Sequence, residues 1–179
     1  EAAREDINLL RQQIVACKEI ITGLSRRAGA ERLENPGTQP VDRWLDELRQ
    51  RWHALRPQAQ SQLETNGAQP APNVIADPRL EQAILNLLNN AASASALPID
   101  IRVSWTTGEI VIDIQDHGPG FPKNVLQQGG QVEFPAHEHG SGIGLMLTRS
   151  AIEQIGGRLL LLNPPAGGAL ARLQLKTRS

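Results

Sequence analysis

Cysteine is almost absent from this chain of 179 residues: Cys17 stands alone, so no disulfide can form within it. Histidine is scarce, at His53, His117, His137 and His139. None belongs to a CxxC or HExxH pattern, which argues against a structural zinc site. Lysine is scarcer still, with only Lys18, Lys123 and Lys176, and no GxxxxGK[ST] occurs, which excludes a P-loop. The net charge of −1 argues against a dedicated nucleic-acid binder. No apolar run approaches the roughly 20 residues that span a bilayer, and no signal peptide is visible. The sequence starts at Glu1 and its one methionine is Met146. A piece of a longer protein is therefore expected, with any membrane anchor in the part outside it.

What is present is strongly patterned. Ile7, Leu10, Ile14, Cys17, Ile21, Leu24 and Ala28 recur at alternating spacings of three and four, the seam of a heptad helix. Such a stripe needs a partner helix, within the domain or on a second copy. Asn35–Pro40 reads as a linker. Val41 to Arg56 follows as an amphipathic helix, with Trp44, Leu45, Leu48, Trp52 and Leu55 on one side, and Pro57 ends it. Gln62–Thr65 and Val74–Ala76 are short strand candidates. Asp77-Pro78 opens a helix whose buried face is Leu80, Ile84, Leu87, Leu88 and Ala91. The period then changes to two: Ile99, Ile101, Val103 and Trp105, then Ile110, Ile112 and Ile114, joined by a hairpin at Thr107-Gly108. His117 to Gly144 reads as one long loop. A helix from Ile143 to Ile155 ends at Gly156-Gly157. Strands Leu159–Leu162 and Leu170–Leu175 close the chain. This order predicts an α+β two-layer sandwich and not a doubly wound parallel sheet.

Three motifs carry chemistry. Asn86 and Asn90 lie four apart on a hydrophobic helix and so share a face. Asparagine is a poor helix former, and its carboxamide oxygen can ligate Mg²⁺, so the pair is a candidate cation site. A pair of polar residues at a helix boundary is the plain alternative. Asp116-His117-Gly118-Pro119-Gly120-Phe121 ends an apolar strand. Its aspartate can accept from an exocyclic amine, and its glycines let backbone approach a ring closely; an ordinary turn would use the same residues. Gly140-Ser141-Gly142-Ile143-Gly144-Leu145 opens a helix, where free N–H groups make an anion site. No apolar strand precedes it, so a dinucleotide-binding βαβ unit is not indicated. With so few lysines, a bound triphosphate would need Mg²⁺ and backbone N–H groups to offset its charge.

In this order and spacing the three motifs resemble the N, G1 and G2 boxes of the histidine-kinase ATP-binding domain, over roughly Pro40 to Thr177. Gly156-Gly157 and Gly167-Gly168 also resemble the end of that family's domain. The resemblance implies a Bergerat α/β sandwich, as in gyrase, MutL and Hsp90-type ATPases, with ATP and Mg²⁺ as cofactors. It implies Asn90 as the Mg²⁺ ligand and Asp116 as the adenine-reading carboxylate. Gly118 and Gly120 would line the adenine pocket, and Gly140, Ser141, Gly142, Gly144 and Leu145 would form the phosphate-facing end of the lid. Phe134 is similar to the family's F-box aromatic. Asn86 stands where the ATPase relatives place a glutamate base. An amide cannot take a proton from water, which favours phosphotransfer over hydrolysis. Two positions depart from the pattern: Ser93 replaces a basic residue common after the N box, and Ala169 replaces a threonine that helps hold adenine.

The same resemblance implies that residues 1–35 are the second helix of a dimerisation and phosphotransfer bundle, 36–40 a linker and 41–179 the catalytic domain. No histidine has the H-E/D-x-x-x-P setting of a phosphoacceptor, so the γ-phosphoryl would go to a histidine outside this chain. Expected partners are ATP or ADP, a response regulator and a second copy through the N-terminal helix. The expected location is the cytoplasmic portion of a membrane-anchored bacterial protein. Residues 12–21 resemble the second helix of RegB/PrrB-type redox-responsive kinases, which makes Cys17 a redox candidate; a small apolar seam residue is the alternative. A non-catalytic docking module and a gyrase- or MutL-like ATPase are the competing functions.

Overall fold

The structure, a computed structural model, describes residues 37–127 and 143–177. The chain divides into two units, Glu1–Pro36 and Gly37–Ser179, and all described residues belong to the second. The expected dimerisation helix, Cys17, Phe134, Gly140, Ser141 and Gly142 lie outside the described residues.

A short strand β1 (Thr38–Pro40) leads into helix α1 (Val41–Leu55). Strands β2 (Ser61–Asn66) and β3 (Asn73–Ile75) precede helix α2 (Pro78–Ala94). The hairpin β4 (Ile99–Trp105) and β5 (Glu109–Gln115) follows, then a short helix α3 (Lys123–Gln127). Helix α4 (Ile143–Gln154) and strands β6 (Arg158–Leu162) and β7 (Leu170–Lys176) complete the unit. The main sheet has the order β2-β4-β5-β7-β6. Only β2 against β4 is parallel; the other pairings are antiparallel. The mostly antiparallel sheet with helices on one face is the expected two-layer α+β sandwich.

Alternation along the strands builds the core. Ile101 faces Ile114 and Val103 faces Ile112 across the hairpin, and Ile112 in turn faces Leu173. These five side chains are at most 2% exposed, and each such burial stabilises by about 1.5–3 kcal/mol. Helix α2 packs on α4 and over β4 and β5, and α4 packs on β6. The start of α2 is capped as expected. Asp77 Oδ1 accepts the Arg79 N–H at 2.8 Å, and the Arg79 guanidinium pairs with Oδ2 at 2.6 Å. That hydrogen-bonded cation holds the Asp77 carboxyl below its usual range.

Three expectations change. Thr38–Pro40, read as the end of a linker, pair antiparallel with Asn73–Ile75. The stretch from His117 to Gly144, read as one loop, contains α3, whose Val125 is buried. Leu55, read onto the apolar side of α1, is 81% exposed, because the helix ends at this residue and the chain turns away through Arg56-Pro57.

Candidate functional site

A pocket opens between the two layers where β5 ends. Its helical wall is Leu87, Asn90, Ala91 and Ala94 from α2 and Leu145 from α4. Its sheet side is Ile114, Asp116 and Ala171, with Ala169 just before β7. Gly120 and Phe121 close the outer end. The space, about 450 Å³ with its open mouth, exists because alanine and glycine stand where the rest of the core carries leucine and isoleucine. The Ile114↔Ala171 pair in β5 and β7 shows the substitution of small for large within one register.

Asp116 is the one charged residue buried among the described residues, at 6% exposure. Its Oδ1 accepts the N–H of Gly118 at 2.8 Å and the N–H of Ala169 at 3.1 Å. Its own N–H donates to the Ala169 carbonyl at 2.9 Å. The carboxylate is thus fixed on both sides, and among the described residues Oδ2 accepts no hydrogen bond. A buried carboxylate with one satisfied and one available oxygen is an acceptor set for a donor entering the pocket. Close approach around it depends on glycine. A Cβ on Gly168 (φ +80°) would run into the Asp116 carbonyl oxygen, and one on Gly118 would lie 2.7 Å from the Ala94 carbonyl oxygen. Ala169 makes both of its bonds to Asp116 through the main chain.

The three asparagines of α2 separate. Asn90 is exposed and lines the pocket; its Nδ2 would sit 3.9 Å from a Cβ placed on Gly144. Helix α2 and the start of α4 therefore come close at this residue. Asn86 does not line the pocket: its Oδ1 accepts from Gln82 Nε2 at 3.0 Å. Asn89 Oδ1 accepts the indole N–H of Trp52 at 3.0 Å, tying α2 to α1. His117 turns from the pocket to Asp100, with Nε2 3.3 Å from Oδ2. Ser93 Oγ donates to the Asn89 carbonyl at 2.9 Å.

Asn163, which the sequence reading passed over, belongs to the pocket's frame. Its Oδ1 accepts the Phe121 N–H at 2.7 Å and its Nδ2 donates to the Phe121 carbonyl at 2.9 Å. The one signal for it was an asparagine breaking an apolar run just before Pro164-Pro165, which also reads as a simple turn. Among the described residues no group of three His, Cys, Asp or Glu side chains could hold a metal, so a cation there would depend on few protein donors.

A two-layer sandwich with this pocket at the layer boundary, framed by an asparagine helix, a carboxylate-glycine loop and Leu145 in the first turn of α4, defines the class of molecule. Residues 76–179 match the family described as histidine kinase-, DNA gyrase B- and HSP90-like ATPases, and the chain belongs to it. The chain is 34% identical over 105 residues to the signal transduction histidine-protein kinase AfsQ2 of Streptomyces coelicolor, covering 55% of this chain and 20% of that one. It is 26% identical over 176 residues to the sensor histidine kinase RegB of Cereibacter sphaeroides, covering 90% of this chain and 37% of that one. The chain thus spans between a fifth and two fifths of these relatives. Among solved structures, the mycobacterial sensor histidine kinase MprB superposes with a TM-score of 0.64 at 24% identity, covering 79% of this chain and 99% of that one. The catalytic domain of histidine kinase ThkA superposes at 0.63 and 21%, covering 79% and 95%.

Proposed function

We propose that this chain is the ATP-binding kinase core of a two-component sensor histidine kinase, and that it delivers the γ-phosphoryl of ATP to a histidine elsewhere in the whole protein. The observation that carries the reading is Asp116: a buried carboxylate with one oxygen held by two N–H groups and the other available to a pocket whose lining includes four alanines and a glycine. In this reading Oδ2 accepts the exocyclic amine of adenine. Ala91, Ala94, Ala169 and Ala171 leave room for the ring. The α4 N-terminus faces the phosphates, where its free N–H groups favour negative charge.

Magnesium suits the donor set. It keeps most of its waters and takes one or two hard oxygen ligands besides nucleotide phosphates. Asn90 offers one carboxamide beside Gly144 and no competing acid, so its oxygen is the ligand we assign; Mg²⁺ would offset phosphate charge when bound. Asn86, held by Gln82 and carrying no basic group, supplies no base for water. That supports transfer, which proceeds by positioning and electrostatics, over hydrolysis. The N-terminal unit as a dimerisation helix, Cys17 as a redox site, a response regulator as partner and attachment to a membrane belong to the same proposal and rest on the family resemblance. The test is calorimetry with ADP and ATP in Mg²⁺, followed by phosphoamino-acid analysis. Saturable binding without acid-labile phosphate on this chain is expected. Absence of any adenine-nucleotide binding refutes the reading and favours a docking module; steady phosphate release favours a gyrase- or MutL-like ATPase.

A further inference from the structure

The two loops at the outer end of the pocket are stitched to each other twice. On the inner side, the Asp116 side chain accepts from the Ala169 main chain. On the outer side, the Asn163 side chain both donates to and accepts from the Phe121 main chain. The second stitch is a two-bond clamp between the residue that follows β6 and the last residue of the glycine loop. Gly120 (φ +84°) sits under it so closely that a Cβ there would lie 2.9 Å from Asn163 Nδ2. Both Gly120 and Phe121 line the pocket.

We infer that Asn163 is a positioning residue for the nucleotide base: its carboxamide fixes the Phe121 main chain and thereby holds the Gly120–Phe121 wall at the width of a planar ring. Asn163 is absent from the pocket lining, so it acts only through that wall. The side chain suits the task because a primary amide carries a donor and an acceptor side by side, matching one residue's C=O and N–H. Aspartate offers two acceptors and would set one against the Phe121 carbonyl. Serine can make one of the two bonds. The clamp also ends where α3 begins two residues later, so the chain leaving the pocket starts from a fixed point.

The inference rests on the adenine-nucleotide reading above, and the test separates the two. ADP and adenosine affinities are measured by calorimetry on the 179-residue chain, well below its melting temperature. Asn163→Ala, Asn163→Asp and Asn163→Ser are compared with the parent. Losing both bonds is expected to weaken ADP about tenfold, and adenosine by the same factor, because the wall touches the base and not the phosphates. Asn163→Asp, equal in size to asparagine, is expected to weaken binding as much; Asn163→Ser is expected to recover part of it. The Phe121 amide should exchange its hydrogen faster in Asn163→Ala. A purely stabilising residue would lower the melting temperature and leave these affinities alone. If the parent binds ADP and the folded variants bind it equally well, the inference is overturned and the nucleotide reading stands. If the parent binds no adenine nucleotide, both fall.

Discussion

Asp116→Asn tests the site with the least damage to the fold. The amide oxygen can keep the two N–H bonds from Gly118 and Ala169 that the carboxylate oxygen now accepts at 2.8 and 3.1 Å. What changes is the other side of the group, where an acceptor becomes an NH₂ donor. Against adenine's amine this sets donor on donor. A hydrogen bond to a charged group contributes about 1.5–3 kcal/mol, and leaving a buried donor unmet costs a similar amount. A loss near 3 kcal/mol corresponds to an affinity drop of roughly 100-fold. Stability should change much less. Two charge-assisted bonds become neutral ones, costing about 1–2 kcal/mol together, so the melting temperature falls by only a few degrees. Calorimetry with ADP and a thermal melt, run on the same preparation, give both numbers. The signature is a large affinity loss beside a small stability loss. GDP offers a carbonyl where adenine offers an amine, so its affinity relative to ADP should rise in the variant. An ADP affinity within about threefold of the parent would falsify the assignment of Asp116 to the base. A collapse of stability with it would mean that the carboxylate is there for the two loops alone.

Other perturbations address different parts of the frame. Gly168→Ala puts a Cβ into the Asp116 carbonyl at a φ of +80°, so denaturant unfolding should show a loss of about 2–4 kcal/mol, with nucleotide binding lost in the folded fraction. Asn90→Ala should abolish the Mg²⁺ dependence of nucleotide affinity while leaving the melting temperature nearly unchanged, since the side chain is exposed; unchanged Mg²⁺ dependence in calorimetry removes Asn90 from the site. Asp77→Ala removes the α2 cap and should cost about 1 kcal/mol at neutral pH. Because Arg79 lowers the folded-state value of Asp77, that contribution is full above the unfolded value of about 4 and is lost as pH falls through the folded one. The stability gap between parent and variant should therefore close on acidification, and a gap that widens would contradict the pairing. Trp52→Phe keeps most of the buried ring and drops the bond to Asn89, with an expected loss of about 1–3 kcal/mol in urea.

The alternation of Ile99, Ile101, Val103 and Trp105, and of Ile110, Ile112 and Ile114, was enough to locate a half-buried hairpin, because each strand has one face on the helices. The short strand read at Gln62–Thr65 lies within β2 (Ser61–Asn66), but the same rule does not give its partner. Only Ser61 and Leu63 of that edge strand are even half-covered, and its parallel pairing with β4 is decided far along the chain. Helix α3 has five residues and one buried side chain, too little for a period to show. Strand β1 exists only through its pairing with Asn73–Ile75, so local composition read it as linker. The pocket followed the same division. Asp116 and Gly120 were legible because their chemistry is unusual at a strand end, whereas Gly118 and Gly144, expected at the same site, stand outside the pocket's lining. Asn163 was not, because its role consists of two bonds to a residue 42 positions away.

The asparagines of α2 show how far spacing alone can carry a site. The i, i+4 relation of Asn86 and Asn90 placed both on one face, and it holds for the helix. It does not say which face turns to the pocket, or whether a side chain is already engaged. Asn86 is taken by Gln82, one turn before it. Asn89 is taken by Trp52, a residue of another helix. That second bond has a consequence for the first residue left over. Neighbouring positions on a helix differ by about 100° in direction, so fixing Asn89 toward α1 also fixes Asn90 about 100° away, on the side where Leu87, Ala91 and Gly144 meet. The buried Leu80, Ile84 and Leu88 set the same rotation by packing, but hydrophobic contact is non-directional and tolerates small turns of the helix; a hydrogen bond from an indole at 3.0 Å does not. The orientation of Asn90 therefore rests on α1 as well as on α2. If Asn90 serves a cation, Trp52→Phe should loosen Mg²⁺-dependent binding more than an equal loss of stability elsewhere in the core.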